Sequence, residues 1–206
     1  MALLLPPTQL ITELQNNLSF QKKTVAADAA VLVGITQEDN PHVLLTRRAS
    51  QMRHHAGEVS FPGGKREKGD TSNVVVALRE AQEETALNPF DVQLLGELPM
   101  EKARSGLYVK PIVGLIPPQP KLIAQPEEID RIFYVALQDL MTAPPTPYPV
   151  KFGRHDLHFP SYDLDDEVVW GLTARIIITL LKQGLGYKKM WPFLLNPPNF
   201  PSKFNF

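Results

Sequence analysis

Residues 74–87 carry the strongest helical pattern in the chain, and they limit the folds that this sequence can adopt. Good helix formers follow a Thr71-Ser72-Asn73 start, and Asn88-Pro89 predicts the end of the helix. At about 100° per residue, small and apolar side chains fall on one narrow face: Val74, Ala77, Leu78, Ala81 and Thr85. We therefore predict an amphipathic helix that packs on a core through this face.

Segments typical of strands lie on both sides of this helix. Before it, residues 29–35, 42–46 and 57–61 are expected strands, with the first two forming a hairpin and the third ending at Pro62-Gly63-Gly64. After it, strands are expected over 92–98 and 108–116, a strand or strand-to-helix junction over 129–137, and a late helix over 173–183. Residues 142–150 are rich in proline and predict no regular structure. This order favours a mixed α/β sandwich.

The length of 206 residues suits one domain with short extensions. We expect an N-terminal extension with a short helix over residues 1–28, a main domain over 29–190 and an irregular proline-rich tail over 191–206. The chain has no cysteine, which excludes disulfides and thiolate chemistry.

Charge and hydropathy predict what the chain does not bind. The formal net charge is -1, and no basic patch with interleaved aromatic residues suggests binding of nucleic acid. No apolar run is long enough to span a bilayer, and the first residues lack the basic region of a signal peptide. We expect a cytoplasmic protein with no membrane partner.

Three carboxylates share one flank of the predicted helix. Glu80 and Glu84 lie one turn apart with Glu83 beside them, and Arg79 is spaced to hold Glu83. Glu80 and Glu84 then lack a partner, which a hard divalent cation such as Mg²⁺ or Mn²⁺ would supply. An acidic helix flank is usually a solvated surface. The preceding Gly-Gly favours the functional interpretation, because glycine lets backbone approach a ligand closely.

The segments GKREKGD (residues 64–70) and REAQEETAL (residues 79–87) together resemble the Nudix box. That box reads as Gly, five residues, an acid, seven residues, then Arg-Glu-apolar-x-Glu-Glu-x-Gly-apolar. Here the acid is Asp70, eight residues separate it from Arg79, and Ala86 replaces the late glycine. The resemblance implies a Nudix α/β/α sandwich with a mixed central sheet.

A second segment resembles the signature of the Nudix CoA pyrophosphatases. It comprises LLTRRA (44–49), MR (52–53) and GEVSFPGG (57–64). The resemblance, which extends over most of residues 29–183, implies hydrolysis of the diphosphate bond of coenzyme A or a CoA derivative. The expected products are 3′,5′-ADP and 4′-phosphopantetheine, acylated when the substrate is.

Roles follow for individual residues. The metal ligands are expected to be Glu80, Glu84 and Glu83, with Arg79 in the catalytic set. The general base is either Glu128, which precedes a predicted strand, or Glu83. Arginine suits bidentate contacts to phosphate, so substrate binding is assigned to a basic and glycine-rich set: Arg47, Arg48, Arg53, His54, Gly63, Gly64 and Lys65.

Two other functions stay open at this point. One is a Nudix hydrolase of another nucleoside diphosphate derivative, such as ADP-ribose or NADH. The other is a non-catalytic Nudix module that binds a ligand. In each case the expected partner is a small molecule, and the tail offers a surface for a homodimer.

Overall fold

The computed structural model describes residues 5–52, 55–143, 146–152 and 155–187. The helices are α1 (Pro7–Asn17), α2 (Asn73–Thr85), α3 (Leu137–Thr142) and α4 (Gly171–Gly184), with a 3-10 turn at Pro89–Asp91. The strands of the larger sheet are β1 (Ala29–Thr36), β2 (His42–Arg48), β3 (Val59–Ser60), β4 (Gly63–Lys65), β5 (Gln93–Glu97), β6 (Glu101–Lys102), β7 (Tyr108–Ile116) and β8 (Ile129–Ala136). A second sheet contains β9 (Thr146–Phe152), β10 (His155–Leu164) and β11 (Glu167–Trp170).

The larger sheet is mixed, as predicted. Its main path runs β3-β2-β1-β7-β5, and β4, β6 and β8 pair with β1, β7 and β2 respectively. Strands β1 and β7 are parallel, whereas β1 and β2 form the expected antiparallel hairpin. The continuous apolar run of β1 is explained by its central position, because both of its faces are covered.

Two apolar clusters hold the layers together. Helix α2 covers one face of the sheet, and its buried cluster includes Ala30, Leu32, Leu44, Val76, Ala77, Ala81 and Ile112. The opposite face packs against α1, α4 and residues of the second sheet, through side chains that include Leu10, Leu14, Val33, Leu45, Tyr162 and Ile177. The result is the expected α/β/α sandwich, with a small additional sheet on the α4 side.

Helix α2 begins where the sequence predicts. The Ser72 hydroxyl accepts a hydrogen bond from the Val75 N–H at 3.1 Å, which satisfies a free donor of the first turn. The helix ends earlier than predicted, because Ala86 adopts the left-handed conformation with φ 57°. That conformation breaks the helical ladder before Asn88-Pro89 can do so.

The buried face of α2 includes the predicted one and is wider. Ala77, Ala81 and Thr85 are buried and Val74 and Leu78 pack against the same cluster, but Val76 and Glu84 are buried as well. The helix is therefore turned so that a carboxylate, and not only its apolar stripe, faces the sheet. Glu84 tolerates this position because Gly63 and Arg48 contact it. These are tertiary contacts, which helical periodicity cannot predict.

Two strands were not predicted. The strand before Pro62-Gly63-Gly64 ends there as expected, but residues 63–65 form a further strand, β4, which pairs with β1 through Val31↔Gly63 and Ala30↔Gly64. Residues 142–150 are not wholly irregular, since β9 pairs with β10. Strand β9 lies at an edge, where alternate N–H groups face away from the partner, so its Pro147 and Pro149 are compatible with pairing.

The N-terminal helix α1 and the C-terminal tail can be compared with the predicted domain limits. Leu10 and Leu14 of α1 are fully buried in the cluster that also contains α4 residues, so α1 is packed onto the main body. The proposed division at residue 28 remains a prediction, and the tail over 191–206 lies outside the described residues. No helix within the described ranges is both long enough and apolar enough to cross a bilayer.

Candidate active site

The strand β4 and the helix α2 meet at two glycines and two carboxylates. The Gly63 N–H donates to Glu84 Oε2 at 3.0 Å. A Cβ atom at Gly64 would lie 2.4 Å from the carboxylate atoms of Glu80, and one at Gly63 would lie 2.5 Å from the Ala30 carbonyl oxygen. Glycine is therefore required at Gly63, where a Cβ atom would meet backbone. At Gly64 a Cβ atom would displace the end of the flexible Glu80 side chain. The Gly-Gly pair brings the sheet edge directly against the acidic flank of α2.

Glu84 is a buried carboxylate whose charge is only partly balanced. Its exposed fraction is 2%, and Arg48 Nη1 lies 3.5 Å from its Oε1. Burial raises the pKa of Glu84 to about 7; the Gly63 N–H and the Arg48 charge oppose this rise, whereas the charges of Glu80 and Glu128 add to it. The site thus concentrates negative charge in a place of low solvation.

Arg79 organises the neighbouring side chains. Its guanidinium contacts Asp70 Oδ2 at 3.0 Å, Glu80 Oε1 at 3.1 Å and Glu83 Oε2 at 2.8 Å. It also donates to the Lys65 carbonyl oxygen at 3.1 Å, which links α2 to β4. Arg79 therefore holds Glu83 as the sequence predicts, but it holds Glu80 as well.

Asp70 has a definite place in this arrangement. Its carboxylate accepts hydrogen bonds from Arg79 and from the Glu67 N–H, at 2.8 Å for the latter. These hydrogen bonds, that of Arg79 first, lower the pKa of Asp70. Asp70 is thus an ionised anchor for Arg79, and the eight-residue spacing still allows the two to meet.

Glu80 and Glu83 face different surroundings. Burial raises the pKa of Glu80, Arg79 opposes the rise, and the charges of Glu83 and Glu128 add to it. The Glu83 side chain is 58% exposed and lies against Arg79. The three helix carboxylates are consequently graded from buried Glu84 through Glu80 to solvated Glu83.

Glu128 approaches the same site from the loop before β8. Two backbone hydrogen bonds tie this loop to the end of α2, from Ile123 N to Thr85 O and from Gln125 N to Glu84 O, both at 2.9 Å. The Ala49 N–H donates to the Glu128 carbonyl oxygen at 2.8 Å. The side chain is exposed, and its charge reaches both Glu80 and Glu84.

The basic residues assigned to substrate binding do not gather in one place. Arg48 points to the α2 face, whereas Arg47 points to the opposite face and contacts Glu167 Oε1 at 2.8 Å. Lys65 is exposed and contributes its carbonyl oxygen to Arg79. Arg53 and His54 lie outside the described residues.

Sequence reasoning missed the residues that fix the loop between β4 and α2. Arg66 donates to the Ala27 and Asp70 carbonyl oxygens, both at 2.9 Å, and to Asn73 Oδ1. Asn73 is buried and also accepts from the Ala27 N–H at 3.0 Å. An arginine in a polar loop and an asparagine at a helix start have no distinctive pattern, so their long-range partners could not be read from the chain.

The chemistry of these residues fits a hard divalent cation. Within the ranges that the structure describes, no three acidic or histidine side chains converge as a complete ligand set. Mg²⁺, however, is often held by one or two carboxylates and completes its shell with water and substrate phosphate. Glu80 and Glu84 provide such a pair, and the electrostatic repulsion around them is what a cation would relieve.

A family model and related sequences identify the class of protein. The model of the NUDIX domain matches residues 26–153. The uncharacterized Nudix hydrolase NudL of Pectobacterium atrosepticum is 43% identical over 159 residues, covering 75% of this chain and 81% of the relative. That of Photorhabdus laumondii is 40% identical over 158 residues, covering 75% and 83%. A solved Nudix hydrolase, RenU of M. smegmatis, has 18% identity and a TM-score of 0.46 over 55% of this chain and 72% of its own.

The chain belongs to the Nudix hydrolase family. It is therefore an enzyme that hydrolyses a small nucleoside diphosphate derivative, and enzymes of this family generally use divalent metal ions. The family membership leaves the non-catalytic interpretation without support.

Proposed function

We propose that this enzyme hydrolyses the diphosphate bond of coenzyme A or a CoA derivative to 3′,5′-ADP and 4′-phosphopantetheine. The observation that carries the proposal is the meeting of two segments that are separate in the sequence. Arg48 belongs to the segment that resembles the CoA pyrophosphatase signature, and it lies 3.5 Å from Glu84 of the Nudix box. Gly63, near the end of the same signature, donates to Glu84 through its N–H as well.

In this proposal the chain positions a diphosphate at the junction of β4 and α2. Arg48 binds a phosphate oxygen, because its guanidinium is directed to the site and its contact with Glu84 Oε1, at 3.5 Å, is long. The close approach of Gly64 to Glu80 keeps that carboxylate against the sheet. Asp70 and Arg79 act as positioning residues, since Arg79 holds Glu80 and Glu83 and Asp70 in turn holds Arg79.

Glu80 and Glu84 would hold Mg²⁺ or Mn²⁺, with Glu83 as a further candidate ligand from the solvated side. When bound, the ion would neutralise phosphate charge and make water a better nucleophile. Glu128 is the preferred proton acceptor, because it is exposed beside both carboxylates, whereas Glu83 is held by Arg79 at 2.8 Å. Attack is expected in line at phosphorus.

Product analysis tests this proposal directly. The enzyme is incubated with CoA and Mg²⁺ or Mn²⁺ in ¹⁸O-water, and the products are identified by mass spectrometry. We expect 3′,5′-ADP and 4′-phosphopantetheine, with the label in one of them. The Glu80→Gln variant under saturating Mg²⁺ is the control, and unchanged CoA turnover in that variant would exclude these carboxylates as the catalytic metal site.

A substrate panel separates this proposal from its alternative. ADP-ribose and NADH contain the same kind of diphosphate bond, so the Nudix box alone does not discriminate among them. Ranking CoA, acyl-CoA, ADP-ribose and NADH by kcat/KM decides the question. If CoA and its thioesters are no better than ADP-ribose, the CoA proposal is wrong although the hydrolase family stands. A cytoplasmic location and a homodimer remain further predictions.

A further inference from the structure

A cavity of about 250 Å³ lies next to the carboxylate site. It is bounded by the edge strand β3, the second sheet, the start of α4 and the loop between β6 and β7. Its walls include Arg48, Val59, Val150, Phe159, Trp170 and Leu172. Ligand pockets for whole drug-sized molecules are about 300–1,000 Å³, so this cavity suits one arm of a larger substrate.

Arg48 connects the cavity to the proposed site of hydrolysis. The same side chain lines the cavity and lies 3.5 Å from Glu84. Ser60, also in the wall, is followed by Phe61-Pro62 and then by Gly63, whose N–H contacts Glu84. A molecule whose diphosphate lies against Gly63 and Arg48 can therefore extend one of its two arms into this cavity.

The inner wall is mainly apolar. Trp170 stacks on Tyr148 with ring centroids 4.6 Å apart, and Phe159 meets the same indole edge-on at 6.5 Å. These contacts fix the indole ring, and Val150 and Leu172 extend the apolar wall. Such a surface stabilises an alkyl chain by removing it from water.

Several polar groups of the wall are already engaged by the protein. The Thr173 hydroxyl donates to the Val59 carbonyl oxygen at 2.9 Å. Arg175 donates to the Lys102 carbonyl oxygen at 2.5 Å and lies 3.3 Å from Glu101. The lining also includes Arg104 and His55, and the His55 ring lies 2.8 Å from Glu58 Oε2. The apolar part of the wall suits a chain of alkyl and amide groups, which needs few polar partners.

We infer that this cavity binds the non-nucleotide arm of the substrate, an alkyl-amide chain that ends in a thiol or thioester, and leaves the nucleoside arm outside. This inference rests on the proposed hydrolysis of CoA and adds which half of the molecule lies where. It also makes the cavity the determinant of preference among acyl chains.

Inhibition by the two product halves tests the inference. Ala103 lines the cavity, and Ala103→Phe would fill part of it. Ala26→Phe, at an exposed position outside the cavity, is the matched control. We expect Ala103→Phe to raise the inhibition constant of 4′-phosphopantetheine by about tenfold or more, in line with the steric selectivity of apolar pockets. The constant for 3′,5′-ADP should stay within about twofold, and Ala26→Phe should change neither.

The remaining outcomes separate the two proposals. One outcome is that wild type cleaves CoA while Ala103→Phe raises the inhibition constant of 3′,5′-ADP alone, or of neither product half. In that case the cavity assignment is wrong and the proposed function stands. If wild type does not cleave CoA, the function itself fails and the inference fails with it. If Ala103→Phe does not fold by circular dichroism, Leu172→Ala decides: the enlarged cavity should raise kcat/KM for long acyl-CoA relative to CoA several-fold, and no shift would refute the inference.

Discussion

Arg47 and Arg48 are adjacent in the sequence but serve opposite faces of the main sheet. Arg48 faces α2 and lies 3.5 Å from buried Glu84. Arg47 faces the second sheet and contacts Glu167, a carboxylate with an exposed fraction of 9%. The regular alternation of a strand does not account for this alone, because the register of β2 against β8 shifts between Arg47 and Arg48. The two adjacent arginines therefore have different roles.

The two carboxylates differ in how completely their charge is satisfied. Glu167 receives Arg47 at 2.8 Å and Arg131 at 3.0 Å, so two guanidinium groups surround it and join the sheets. Glu84 receives one backbone N–H and one distant arginine, and two acidic neighbours oppose its ionisation. A balanced cluster stabilises the fold, whereas an unbalanced one is suited to a cation and a substrate.

The largest expected difference in activity is between the variants Glu84→Gln and Glu167→Gln. Glu84→Gln should lower kcat by about 10²–10³-fold, by comparison with loss of one electrostatic group in other active sites. Glu167→Gln should leave kcat/KM within about twofold but lower the free energy of unfolding by about 1–2 kcal/mol, because two arginines lose a charged acceptor. Steady-state kinetics measure the activity of each variant, and guanidinium chloride denaturation measures its free energy of unfolding. Equal effects of the two variants on activity would contradict the division between the faces.

The second-largest effect is expected from alanine substitutions at the two glycines of β4, Gly63 and Gly64. In Gly64→Ala the new methyl group displaces the carboxylate of Glu80, the end of a flexible side chain, so activity should fall by about 10–10²-fold with little loss of stability. In Gly63→Ala it meets the backbone of Ala30, so unfolding should become easier by about 1–3 kcal/mol. Thermal melts and kcat/KM of both variants distinguish the cases. The prediction fails if Gly64→Ala is fully active.

A smaller effect is expected from the arginines themselves. Arg48→Ala should raise KM for CoA by about tenfold, since one charge-assisted phosphate contact is lost. Arg47→Ala should leave KM within about twofold and lower stability by about 1 kcal/mol, because Arg131 still contacts Glu167. The measurement is a pair of substrate saturation curves. A larger rise of KM for Arg47→Ala than for Arg48→Ala would contradict the assignment of the phosphate contact to Arg48.

The smallest effect concerns the end of α2. Ala86 has φ 57°, a conformation that glycine adopts without the cost paid by other residues. Ala86→Gly should therefore raise the free energy of unfolding by about 1 kcal/mol while kcat/KM is unchanged. Chemical denaturation measures this free energy of unfolding. Gln82→Gly, on the exposed face of the helix, is a control that should lower it. A loss of stability in Ala86→Gly would show that another contact of the methyl group matters.

Much of the site could be predicted because it depends on short-range spacing. The one-turn separation of Glu80 and Glu84 and the reach of Arg79 to Glu83 follow from helix geometry, and the structure contains the Arg79–Glu83 contact at 2.8 Å. The hairpin of β1 and β2 and the junction of β8 with α3 likewise follow local patterns. The pairing of β4 and β9 could not be predicted, since Gly-Gly and proline-rich segments have low strand propensity and pair only because a neighbouring strand is available.

The sequence by itself determined the acidic helix, the glycines before it and the family to which the chain belongs, because these are properties of residue type and spacing. Only the tertiary structure decided which of the three glutamates is buried, which of two adjacent arginines reaches it and that Asp70 anchors Arg79. Those outcomes depend on how α2 is rotated against the sheet and on which loops fold over its end. Such long-range contacts have no counterpart in the local pattern of the chain.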